Sequence, residues 1–147
     1  MRFSAVPLCV TALLTTGCVP AWVSPTRDDA ATVTFVEEAT GFVHVHLFAK
    51  GETCQDEKKV TGFGGLKGKT EIKVAPGEEI APSVTILDGN WSCTLLMSFI
   101  PKPREAYAVA ITGGGPKCKM GIGHLEGQKV VPEPSARKRT KVGERCE

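Results

Sequence analysis

The chain has 147 residues with 18 Lys or Arg against 16 Asp or Glu, a formal net charge of +2. So even a balance excludes the global electrostatic steering by which strongly charged proteins collect nucleic acid or other polyions. Sixteen glycines, ten prolines and six cysteines in this length fit one small, turn-rich domain with a modest core.

The N-terminus reads as targeting sequence. Arg2 supplies a positive n-region. Residues 3–16, FSAVPLCVTALLTT, carry no charge, and 14 residues fall short of the ~20 a spanning helix needs, so the stretch is an h-region. It ends in Leu14-Thr15-Thr16-Gly17-Cys18, which resembles the lipobox of bacterial lipoproteins, where a small residue precedes a cysteine whose thiol receives a diacylglyceryl group. Thr15 stands where the commonest form has Leu. The resemblance implies removal of residues 1–17, lipidation at Cys18 and a chain held on a membrane. Val19, in place of the Asp that would resemble an inner-membrane retention signal, implies the outer membrane, facing periplasm or cell surface. Val19-Pro20-Ala21 is also a small-x-small site, and cleavage after Ala21 would instead give a soluble periplasmic protein without Cys18.

Residues 18–30 mix two prolines with charges and show no periodicity, as a linker would. Trp22 within them either packs on the domain or lies at the headgroup level, which amphipathic indoles favour. From Ala31 the pattern alternates with period two, so the domain is set at residues 31–132. Val33 and Phe35 alternate with threonines. Val43, Val45 and Leu47 share one face and Phe42, His44, His46 and Phe48 the other. Residues 53–59 offer the best candidate for a helical turn. Ile72 and Val74 alternate with Glu71 and Lys73, and Val84 and Ile86 lead to an Asp88-Gly89-Asn90 turn. Trp91, Cys93, Leu95, Met97 and Phe99 then share a face. Tyr107, Val109 and Ile111 follow a proline-rich corner, and a glycine-rich turn precedes Cys118, Met120 and Ile122.

No 11-residue window carries a helical stripe. The expected fold is therefore all-β, a small antiparallel β-sandwich, disulfide-bonded, with transthyretin-like and immunoglobulin-like topologies both fitting. Tyr107, the only tyrosine, is placed like a tyrosine corner, whose hydroxyl bonds back to upstream backbone. Residues 133–147 form a basic C-terminal tail with Arg137, Lys138, Arg139, Lys141 and Arg145, tied to the domain through Cys146.

With Cys9 in the leader and Cys18 acylated, four cysteines remain. In an oxidising compartment Cys54, Cys93, Cys118 and Cys146 read as two disulfides, since their wide spacing lacks the paired C-x-x-C of zinc sites. Alternation turns Cys93 and Cys118 toward the core. Tying each irregular segment to one core strand predicts Cys54 with Cys93 and Cys118 with Cys146.

Chemistry-bearing constellations are few. His44 and His46 project from one strand face about 7 Å apart, a spacing that lets two imidazoles share zinc or copper, and His124 could complete the set. Residues 62–70 look like a phosphate loop, but a Walker motif would need Gly where Phe63 stands. There is no G-x-S-x-G elbow, and the cysteines are oxidised. The tail could touch an anionic envelope polymer or lipid; it lacks the aromatics that nucleic-acid binding would require. The expectation is a lipid-anchored, non-enzymatic binding or structural module with no cofactor, the alternative being a periplasmic metal-binding protein using His44 and His46.

Overall fold

The computed structural model describes residues 18–62, 64–143 and 145–147, so the leader and its h-region lie outside the described residues. Where every second side chain is apolar, an extended chain buries one face and wets the other. β1 (Ala31–Ala39) buries Ala31, Val33 and Phe35, and β2 (Phe42–Lys50) buries Val43, Val45 and Leu47. After the charged β3 (Gln55–Lys59), β4 (Lys69–Val74) contributes Ile72 and Val74, and β5 (Ala81–Asp88) contributes Val84 and Ile86. β6 (Trp91–Ser98) pairs Cys93 with Ile86 and Leu95 with Val84, which turns both inward. β7 (Ala106–Gly114) buries Tyr107, Val109 and Ile111, and β8 (Lys117–Glu126) buries Ile122. Four short strands end the chain: β9 (Lys129–Pro132), β10 (Arg137–Lys138), β11 (Lys141–Val142) and β12 (Arg145–Cys146). No helix occurs among the described residues.

The strands form the expected all-β sandwich. One sheet runs β4-β1-β7-β8-β9, the other β10-β6-β5-β2-β3, and β11 pairs only with β12. A single apolar cluster drawing on both sheets fills the space between them. Burying a Val, Leu, Ile or Phe side chain contributes ~1.5–3 kcal/mol, so this interface carries the stability of the domain. Within the two main sheets every pairing is antiparallel except that of β1 with β7, which run parallel with Val33 opposite Tyr107 and Phe35 opposite Val109. After β1 the chain runs through β2 and β3 in the other sheet and returns as β4 on one side of β1. It crosses again for β5 and β6 and takes the other side of β1 as β7, a route long enough to permit parallel pairing. At the turn from β7 into β8, Gly113 has φ +100° and lies against the Lys117 carbonyl, a position no side chain could occupy without moving backbone.

Tyr107 closes a tyrosine corner. Its hydroxyl accepts the Lys102 N–H at 2.8 Å and donates to Glu105 at 3.2 Å, and its ring meets Phe99 with centroids 5.0 Å apart. Burial pushes the phenol up to about 12; the Lys102 hydrogen bond opposes the rise, while the carboxylates of Glu105 and Glu133 add to it.

Two expectations about segments are corrected. Residues 53–59 hold β3 rather than a helical turn: Lys50 faces Gln55 and Phe48 faces Glu57 in one continuous register, which puts Asp56, at φ 57°, across from Ala49. QDEKK has no apolar residue, so no alternation could announce it. The linker at 18–30 is built into the domain over residues 20–24, where Ala21 bridges Lys59 and the Trp22 indole donates to the Lys73 carbonyl at 3.0 Å. The basic tail at 133–147 is tied through Cys146 as expected, and it folds back as β10 beside β6 and as the β11–β12 hairpin.

Both disulfides exist, but the pairing expected of them is wrong. Cys93 joins Cys118, and Cys54 joins Cys146, with Cα–Cα separations of 6.5 and 5.2 Å. Cys93 and Cys118 face the interior from β6 and β8, one in each sheet, where the two sheets approach along one side of the sandwich. The short bridge closes that side. Cys54 is left for Cys146, which seats the C-terminal hairpin on Phe48 and Ala81 on the outer face of the other sheet.

Candidate functional site

Cys18 is exposed and takes part in neither disulfide. The three histidines do not come together. His44 and His46 stand on the outer face of β2, between the inward Val43, Val45 and Leu47. His124 lies on β8 in the other sheet, opposite the buried Tyr107. Each is otherwise engaged or poorly placed for a cation. His46 Nδ1 meets Glu57 at 2.6 Å, and the 140 Å³ hollow that His46 shares with His44 is also lined by Lys59, whose ammonium opposes a metal ion. His124 sits between Glu126 and Glu133, at 3.2 Å from each. No group of three or more potential ligands is placed to hold a metal among the described residues. The metal constellation of His44, His46 and His124 is thus dissolved by topology, because the sheet that carries β2 separates its outer face from the interior.

Glu133 is a buried carboxylate that the sequence did not flag. Burial would raise its pKa, but the Ser135 hydroxyl and N–H, at 2.6 and 2.9 Å, outweigh that and hold it below the ordinary value, with His124 and Lys102 adding to the effect. The Ser135 hydroxyl in turn accepts the Ile100 N–H at 3.0 Å. These contacts lock the β9–β10 connection to the corner below Tyr107, a structural task.

The tail's cations divide in two. Arg139 donates to Ser98 at 2.9 Å and pairs with Glu79, and Lys141 lies 4.9 Å from the centre of the Phe48 ring, so both serve the fold. Burial alone would raise the Glu79 carboxyl, and hydrogen bonds from Ser98 and Arg139 bring it below its usual range. Arg137, Lys138 and Arg145 are exposed.

The arrangement with the most to offer a partner lies where the sheets meet at the Cys93–Cys118 bridge. A groove of about 460 Å³ runs between β6 and β8, floored by Leu95, Met97 and Met120 and walled by Lys119 and Lys138. No acidic residue lines it. Both strands present unpaired edges here. β6 takes β10 only at Met97 and Ser98, and β8 takes β9 from Gly123 onward with the Ile122 carbonyl accepting the Glu133 N–H, which leaves residues 91–95 and 117–121 each with one neighbour strand among the described residues. Unpaired backbone donors and acceptors at a sheet edge are a template for another strand. Alternation did place Cys93, Leu95, Met97, Cys118 and Met120 on inward faces. It could not show that these two half-covered strands face one another, since that depends on strand order.

No protein-family model, no curated protein and no solved structure matches this chain.

Proposed function

We propose that the protein is a lipid-anchored, non-enzymatic binding module of the cell envelope, on the outer membrane, that captures an extended acidic polypeptide segment in the β6–β8 groove. The single observation that carries this is a groove combining an apolar floor, a cationic wall and two unpaired strand edges. A strand laid along either edge would gain main-chain hydrogen bonds, with alternate side chains pointing to the methionine floor and toward Lys119 and Lys138. Methionine suits such a floor because its unbranched thioether adapts to varied apolar side chains. The disulfides favour an oxidising compartment, as the leader does.

The test uses the mature domain and short capped peptides alternating valine with glutamate or with lysine, read by the fluorescence of Trp91 on β6. The glutamate peptide is expected to bind about tenfold tighter than the lysine peptide, a difference of ~1.4 kcal/mol. Met120→Asp and the double change Lys119→Glu/Lys138→Glu should each abolish that preference. Equal binding of the two peptides would sink the proposal. Binding of linear polyphosphate that is lost in the lysine variant and kept in Met120→Asp would transfer the site to an anionic envelope polymer.

A further inference from the structure

We infer that the domain lies flush on the bilayer through the edge formed by β3 and β4, with no free tether between lipid and fold. This rests on acylation of Cys18. Only Val19 separates that cysteine from chain already bonded to the domain. The Pro20 carbonyl accepts the Lys59 N–H at 2.8 Å, and the Trp22 N–H donates to the Lys59 carbonyl at 2.7 Å. On the other side of the same segment, the Trp22 indole reaches the Lys73 carbonyl at 3.0 Å and the Ser24 hydroxyl accepts the Lys73 N–H at 3.1 Å. Residues 20–24 are therefore stitched to β3 in one sheet and to β4 in the other. Two residues reach at most ~7 Å when fully extended, so an acyl chain on Cys18 would hold this edge at the headgroups.

The surface there suits that neighbour. Val23 is 82% exposed, an apolar side chain beside the anchor. Lys59, Lys67, Lys69 and Lys73 are exposed on β3, on β4 and on the connection between them. Of the acids on the same stretch, Asp56 pairs with Lys58 and the half-buried Glu57 with His46, both at 2.6 Å; Asp56 and Glu71 are the two that are exposed, against four exposed lysines. The partner is thus a phospholipid surface with anionic headgroups, where a basic patch is the usual second signal beside a lipid chain. The opposite edge follows from strand order. β6 lies three strand spacings from β3, and β8 three from β4. At ~4.8 Å each this is roughly 14 Å, so the groove opens away from the bilayer.

The two tryptophans report on the two edges, Trp22 at the anchor and Trp91, 58% exposed, on β6. Acylated protein is reconstituted in phosphatidylcholine and phosphatidylglycerol vesicles carrying a headgroup-nitroxide lipid. Trp91→Phe then isolates Trp22, and Trp22→Phe isolates Trp91. Quenching of Trp22 is expected to exceed that of Trp91 roughly threefold or more, given the ~14 Å between the edges. Inserting about 20 Gly/Ser residues between Cys18 and Val19 should bring the two together. Intact mass of the same preparation separates the two ways to fail. A chain that begins at Trp22 or has an unmodified Cys18 overturns the anchor and this orientation with it. An acylated chain whose tryptophans are quenched equally, or whose difference survives the insertion, overturns the orientation alone.

Discussion

Replacing each disulfide in turn should reverse the order that loop length suggests. The Cys93–Cys118 bridge spans 25 residues and Cys54–Cys146 spans 92. In the chain-entropy treatment, opening loops of these lengths frees the unfolded state by about 3.5 and about 4.6 kcal/mol at 25 °C. For Cys93→Ala/Cys118→Ala nearly all of the 3.5 should be lost, because β6 and β8 are held on their inner sides by β5 and β7 and the native state gains little freedom. For Cys54→Ala/Cys146→Ala the native state gains too. β11 and β12 pair only with each other, so without the bridge the hairpin can lift off Phe48 while the sandwich stays folded. The measured loss should then fall below about 2 kcal/mol, well under its ceiling. Urea unfolding of the mature domain measures both, and the first variant should melt roughly 10 to 15 °C lower. Limited trypsin digestion adds a local readout, since Lys141 and Arg145, on the two strands of the hairpin, should become sites of cleavage in the second variant alone. A loss under about 1 kcal/mol for the first variant, or a greater loss for the second than for the first, would refute this account of how the two sides are closed.

Tyr107→Phe should cost ~1–3 kcal/mol, because the Lys102 N–H loses its acceptor at a buried corner. In the wild type the lone tyrosine should ionise near pH 12 by ultraviolet absorbance. With a folded pKa above the unfolded value, its contribution is complete below pH 10 and declines as the pH rises toward 12; a native transition near the unperturbed value would contradict the corner. Glu133 has the opposite sign. Its depressed pKa stabilises the fold above the ordinary value of 4.5 and is lost as pH falls through the folded one. Glu133→Gln should flatten melting temperature against pH on the acid side, and an unchanged acid slope would show that the buried carboxylate is not its source.

Alternation made the strands legible because each carries its own record of which face is buried. Phe35, Val45, Val84 and Val109 are all fully buried in the structure, as their neighbours' polarity implied. The tyrosine corner was legible for a related reason, since Tyr107 follows a proline-rich bend that brings Lys102 back to its hydroxyl. β3 was hidden because none of its five residues is apolar, and the stitching of residues 20–24 because it uses backbone groups and one indole rather than a repeating pattern. Glu133 could not be singled out from sequence. It is buried only because the chain turns back between β9 and β10, and nothing in Pro132-Glu133-Pro134 announces that turn.

The disulfide pairing shows where such local reasoning ends. In an unfolded chain, joining cysteines in order closes loops of roughly 40 and 30 residues, whereas the native pairing closes one of about 25 and then one of about 70. The 3/2 power law therefore favours consecutive pairing about twofold, only ~0.4 kcal/mol. The folded chain imposes a far stronger condition, since bridged residues must bring their Cα atoms within about 4.4 to 6.8 Å. Cys93 with Cys118 at 6.5 Å and Cys54 with Cys146 at 5.2 Å satisfy it. Each cysteine's place in the alternating pattern says whether it points in or out, and for Cys93 and Cys118 that was read correctly. It does not say which strand stands opposite. Strand order fixes that, and one cause then accounts for three results: Cys93 meets Cys118 where β6 and β8 face each other, His124 lies in a different sheet from His44 and His46, and the same two strand edges that the bridge joins are left open beside Lys119 and Lys138.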